Sequence, residues 1–111
     1  MAKVEVESHQ GRNLLFGEIS VSAGTTQLVA APSDNQRVKI VTYAVVATAA
    51  ATVAWTDGTR TTGAMSFAAN GGISCASQAS SPLWATNDGA ALSIVTTGGD
   101  VEGHFSYVVE P

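Results

Sequence analysis

The sequence has 111 residues with 9 acidic and 5 basic side chains, a formal net charge of −4 and a hydrophobic fraction of 45%. This composition predicts one globular domain and excludes a disordered chain. It also argues against a nonspecific nucleic-acid binder, which needs a basic stripe. Only 13% of residues are charged, against roughly 25% in a typical soluble domain. Much of the surface must therefore be uncharged, which favours contact with a partner.

Two segments bear on membranes and secretion. Residues 1–7 alternate charged side chains with Val and lack the apolar core of a signal peptide. Residues 40–55 are nearly free of charge, but they are shorter than the about 18–20 residues that span a bilayer. Their Thr and Val content favours two buried strands, so we expect no membrane partner. The lone Cys75 is interpreted as a small buried hydrophobe of a protein made in a reducing cytoplasm.

The predicted elements of the first half are all β-strands. Residues 1–13 alternate Val with charge and then turn polar, which predicts an extended N-terminal arm. A strand over 14–21 places Leu15, Ile19 and Val21 on one face. Further strands are predicted over 26–30, 37–47 and 51–56, the last followed by an Asp-Gly turn.

The second half continues the pattern. Segments 65–69 and 73–76 flank Asn70-Gly71-Gly72, which predicts a hairpin. Short strands follow over 83–86 and 91–96. The last strand begins at Val101, and its alternating residues share one face: Val101, Gly103, Phe105, Tyr107 and Val109.

This makes about eight to ten short strands with turn signals every 8–12 residues, and no segment has a helical period. The pattern predicts an all-β fold, namely a single-domain antiparallel β-sandwich of jelly-roll-like type over residues 14–111. Residues 1–13 form the arm outside it.

No catalytic or metal-binding constellation is predicted. His9, His104 and Cys75 are far apart in sequence and too few for a zinc site. The Asp residues at 34, 57, 88 and 100 stand beside Asn or Gly, which is ordinary turn chemistry, although a glycosidase pair of carboxylates stays conceivable. We therefore expect no catalytic residue, no cofactor and no metal, and a protein that is not an enzyme.

The two tryptophans allow two interpretations. Trp55 precedes an Asp57-Gly58 turn, and Trp84 precedes Asn87-Asp88. An exposed ring beside such polar groups could bind a sugar. The interpretation favoured here is that both rings fill the core or a subunit interface, where aromatic residues are enriched.

The order of residues in the second half resembles a known class of proteins. The residues that carry the resemblance lie at 61–72, 82–86, 87–92 and 101–109. Together they resemble small β-sandwich proteins of tailed bacteriophages, and among these the capsid decoration, or cement, proteins. The likeness extends over about residues 14–110.

The resemblance implies a virion protein on the capsid exterior, made in the bacterial host cytoplasm. It implies a homotrimer that bridges major capsid subunits and stabilises the assembled shell. The family has no catalytic motif, so the resemblance assigns no functional site residue to this chain. Two other hypotheses stay open. One is a glycan- or receptor-binding module of a phage tail or head fibre, with Trp55 or Trp84 exposed beside Asp57, Asn87 or Asp88. The other is a glycan hydrolase with two carboxylates in a concave pocket.

Overall fold

The computed structural model describes the backbone of residues 6–9 and 12–111 and the side chains of residues 13–111. The described chain folds into ten strands and no helix, so no helix is present that could cross a membrane. The strands are β1 (Val6–His9), β2 (Arg12–Val21), β3 (Gly24–Val29), β4 (Arg37–Ala47), β5 (Ala51–Thr56), β6 (Met65–Phe67), β7 (Gly72–Ala76), β8 (Trp84–Ala85), β9 (Leu92–Gly98) and β10 (Val101–Glu110).

The strands form two antiparallel sheets. The larger has six strands in the order β1-β2-β10-β4-β7, with β8 also paired to β4, and the smaller has the order β3-β9-β5-β6. Successive strands cross repeatedly from one sheet to the other, which is the connectivity of a jelly roll. The predicted all-β, antiparallel, jelly-roll-like sandwich is thereby confirmed.

The N-terminal segment contributes to the edge of the larger sheet. Backbone pairing joins β1 to β2, with Val6 opposite Leu15 and His9 opposite Arg12. Residues 1–5, 10 and 11 of the predicted arm lie outside the described residues. A separate role for residues 1–13 therefore stays a prediction.

The main core lies between the two sheets. The inward face of β10 supplies Val101, Phe105 and Tyr107, as its alternating pattern predicts. Phe105 and Tyr107 stack with ring centroids 5.3 Å apart. The predicted inner face of β2 is also confirmed, because Ile19 and Val21 are buried in this cluster.

The larger sheet has a β-bulge and a second, smaller apolar cluster. Tyr107 pairs with Ile40 and Ser106 with Thr42, so Val41 has no residue opposite it. Ile40 belongs to the main core, whereas Val41 packs with Leu14, Ala79 and Val108 in a separate cluster. Neighbouring side chains of a strand point to opposite faces, so Ile40 and Val41 are both buried because the second cluster covers the face opposite the main core.

The predicted hairpin over residues 65–76 is wrong, although its turn is present. Asn70 adopts a left-handed φ of 65°, which Asn tolerates. The strands on either side belong to different sheets, because β6 pairs with β5 and β7 pairs with β4. The turn therefore crosses the gap between sheets. The predicted bounds of β4 and β5, by contrast, match the structure.

Candidate functional site

An aromatic cleft opens where the connection between β5 and β6 faces β8. Its volume is about 210 Å³. The residues that line it are Ile40, Tyr43, Trp55, Thr62, Gly63, Met65, Leu83 and Trp84. Most of these side chains are apolar, so the aromatic cleft favours an uncharged ligand.

Trp55 forms the inner wall of the aromatic cleft and belongs to the core. Its side chain is 3% exposed, and its ring meets Tyr43 edge-on at 5.3 Å and Phe105 at 6.1 Å between centroids. Its indole N–H is buried without a hydrogen-bond partner among the described residues. The predicted core role of Trp55 is confirmed.

Tyr43 stands between the core and the aromatic cleft. Burial raises the pKa of Tyr43 to about 12, the Cys75 thiol adds to the effect, and the nearby Trp55 N–H acts in the opposite direction. The hydroxyl donates to the Met65 sulfur at 3.5 Å. Tyr43 is thus a neutral hydrogen-bonding group at physiological pH and no general base.

Trp84 forms the outer wall and is half-buried. The Arg60 guanidinium carbon lies 5.2 Å from its ring centroid, a cation–π arrangement. The Nη2 of Arg60 also donates to the carbonyl oxygen of Ala85. One face of the Trp84 ring is therefore already covered by this chain.

Asp57 connects the two loops beside the aromatic cleft through hydrogen bonds. Its side chain is inaccessible to solvent. The carboxylate accepts hydrogen bonds from the backbone N–H groups of Thr59, Arg60 and Asn87 at 2.9, 2.7 and 2.9 Å. Burial acts to raise the pKa of Asp57, but these bonds and the Arg60 side chain lower it to about 2. Asp57 is thus a structural carboxylate, as its turn sequence predicted.

Other charged groups gather at the same end of the sandwich in ion pairs. Arg37 contacts Asp88 at 3.1 Å, and Lys39 contacts Glu110 at 3.1 Å. We call this region the ionic end. Its charges neutralise one another rather than converge on the aromatic cleft.

The remaining candidate residues are dispersed. His104 is exposed and lies opposite Glu18, while the side chain of His9 is outside the described part. Cys75 is half-buried opposite Tyr43 rather than fully buried as expected. Across the described residues no three His, Cys, Asp or Glu side chains come together to hold a metal.

A second feature is a surface without charge, which we call the neutral flank. It comprises residues 42–52 and 63–83, which contain no Asp, Glu, Lys, Arg or His. Pairing of β4 with β7 joins parts of the two segments in the larger sheet, and pairing of β5 with β6 joins other parts in the smaller sheet. The flank exposes Val46 at 49%, Ile73 at 40% and Leu83 at 38%. Exposed Glu102 lies directly opposite Val46 on β10, so the uncharged surface extends from Val46 toward β7 and not toward β10. Exposed apolar side chains of this kind are typical of surfaces that contact a partner.

Comparisons with known proteins assign the chain to no family. No protein-family model matches the chain, and no curated protein sequence matches it. One similar solved structure is a carbohydrate-binding module (CBM6cm-2) from Cellvibrio mixtus lichenase 5A in complex with cellotriose. It has 13% identity and a TM-score of 0.38, and the match covers 99% of this chain and 86% of that chain. The chain is an all-β, jelly-roll sandwich domain.

Sequence reasoning located Trp55, Trp84 and Asp57 but not the aromatic cleft that they share with Tyr43 and Met65. The cleft is built from β4, β5, β8 and a connection, and no local pattern indicates that these meet. The neutral flank did leave a sequence signal, namely the long interval between Arg60 and Asp88 without an ionisable residue other than Cys75.

Proposed function

We propose that this chain is a structural virion protein that decorates the exterior of a tailed-phage capsid and bridges major capsid subunits. The observation that supports the proposal is the neutral flank, because it exposes Val46 and Ile73, one on each face of the larger sheet, in segments that themselves contain no charged residue. Burying such a surface against a shell costs little, whereas burying unpaired charges is expensive.

The stabilising mechanism is linkage. A protein that binds only the assembled shell shifts the equilibrium toward that shell by mass action. Many copies on one lattice add their effects, so weak individual contacts suffice.

The test uses purified capsids that lack the protein. We expect the wild-type chain to bind them and to raise their resistance to heat, measured by co-sedimentation and by calorimetry of the particle. Val46→Lys should abolish binding by placing a charge in the neutral flank. Gln27→Lys, at an exposed position of β3 in the other sheet, is the matched control and should bind normally. A wild-type chain that leaves every such capsid undecorated contradicts the proposal.

A second candidate is a glycan- or receptor-binding module of a phage fibre. The observation that favours it is Trp84, which is partly exposed and walls a cleft of about 210 Å³ that also contains Thr62. Asp57 and Asp88 are already engaged by Arg60 and Arg37, so a sugar in the cleft would bond chiefly to Thr62 or Tyr43.

A glycan array tests this candidate. Trp84→Ala should lose any signal, while Val46→Ala, remote from the aromatic cleft, should retain it. An array on which the folded wild-type chain binds nothing rules against a glycan ligand and leaves the capsid proposal unaffected.

A further inference from the structure

Strand β7 is an edge of the larger sheet. Its five residues pair on one side with β4, from Thr42 opposite Ala76 to Val46 opposite Gly72. No described strand lies on its other side. The outward-directed N–H and C=O groups of β7 are therefore open to another strand.

The other edges of the two sheets have features that discourage pairing. The sequence of β1 includes Glu7 and His9, and β3 has a register irregularity between Gln27 and Val29. Strand β6 has only 3 residues. Short length, charge and bulges are the devices by which proteins protect edges. Strand β7 has no charge, no Pro and no irregularity in its register.

Exposed apolar side chains accompany this unprotected edge. Ile73 lies on β7 opposite the buried Val45, whereas Val46 lies opposite Gly72 and points to the other face of the sheet. Ser74 and Ala76 are exposed as well, and Cys75 is half-buried. A strand that docks here would bury Ile73 and would not desolvate any charge.

We propose that β7 pairs antiparallel with β7 of a second copy of this chain, about a two-fold axis at Ser74. In that register Ser74 faces Ser74, and Ile73 of each copy faces Cys75 of the other. The docking strand comes from a second copy because an uncharged edge is best matched by an equally uncharged strand. The β7 of another copy has the same length and the same outward-directed N–H and C=O groups. Two-fold dimers are also the commonest closed assemblies. The inference rests on the free edge of β7 and not on the capsid proposal, although both involve Ile73; the dimer leaves Val46, on the other face of the sheet, free to contact a shell.

Solution mass by sedimentation equilibrium tests the proposal. We expect a dimer for the wild-type chain and a monomer for Ser74→Lys, because the two new ammonium groups would face each other across the axis. Ser20→Lys, also exposed and on a strand of the same sheet, should stay dimeric. A wild-type monomer, a trimer such as the phage resemblance implies, or a Ser74→Lys dimer would each overturn the proposal.

Cross-linking gives a second test that does not require the dimer to be disrupted. In a Cys75→Ser background, Ser74→Cys places two thiols on directly opposed residues, whose Cβ atoms would lie about 4.5–5.5 Å apart. We expect a covalent dimer on mild oxidation, seen on a non-reducing gel, and none from Ser20→Cys in the same background. Folded Ser74→Cys protein that stays uncross-linked would refute the two-fold register.

Discussion

The carboxylate of Asp57 accepts the backbone N–H of Asn87 at 2.9 Å and so ties the connection after β5 to the one after β8. The same side chain also organises its own turn through Thr59 and Arg60. One buried carboxylate thus fixes two loops that are 30 residues apart in sequence.

Replacing this carboxylate should make the protein less stable and less sensitive to acid. Asp57→Asn puts an amide where the Asn87 N–H now donates, so we expect a loss of about 1–3 kcal/mol in the free energy of unfolding. The native pKa of Asp57 is lowered to about 2 from its usual 3.8. Its stabilisation is therefore present above pH 4 and is lost as the pH falls toward 2.

Urea unfolding between pH 2 and pH 7 measures how the stabilisation by Asp57 depends on pH. The difference between wild type and Asp57→Asn should shrink as the pH falls. Glu102→Gln, which removes a carboxylate from an exposed position, should change the stability by less than about 0.5 kcal/mol. If the difference in unfolding free energy between the two proteins stayed constant from pH 2 to pH 7, the charge of Asp57 would not contribute to stability.

The raised pKa of Tyr43 predicts that the protein loses stability at alkaline pH. Because its pKa is raised to about 12 from 10.0, the folded state holds the phenolic proton more tightly than the unfolded state. This stabilisation is intact below pH 10 and is lost as the pH rises through 12. Tyr43→Phe should therefore weaken the alkaline destabilisation followed by circular dichroism. Burial also raises the pKa of Tyr107, so a part of the effect should persist.

Gly17 is required by packing rather than by backbone conformation. A Cβ atom at this position would lie 2.6 Å from Cε1 of Phe105, its cross-strand neighbour. Gly17→Ala must displace that buried ring, and we expect a loss of about 1–3 kcal/mol. Gly63→Ala has open space around the new methyl group and is the control. Equal thermal unfolding midpoints for the two variants would show that Phe105 adapts freely.

Thr86 carries a buried hydroxyl that completes backbone pairing at the end of β4. It is fully buried, and its Oγ1 accepts the Val38 N–H at 2.9 Å. Thr86→Val keeps the volume but leaves that N–H unpaired, at a cost of about 1–3 kcal/mol. Thr86→Ser keeps the hydroxyl, so it should be the more stable of the two variants in chemical denaturation. The reverse order would mean that the methyl group matters more than the hydrogen bond.

The sequence allowed the strands to be predicted better than their partners. The bounds of β4 and β5 follow from their flanking polar turns and continuous Val-rich character. The inner face of β10 follows from alternation. Pairing across residues 65–76 was mispredicted because a turn signal at Asn70 does not specify whether the next strand stays in the same sheet. The aromatic cleft requires Tyr43 and Trp84 to line the same cavity, and no local pattern shows that these distant segments come together.

The position of β10 in the larger sheet has a consequence for biosynthesis. It lies between β2 and β4 and pairs with both along most of its length, yet it is made after every other strand. The larger sheet cannot close until the ribosome has released residues 101–110. Until then β2 and β4 lack the strand that lies between them, and unpaired strand edges with exposed apolar side chains favour aggregation.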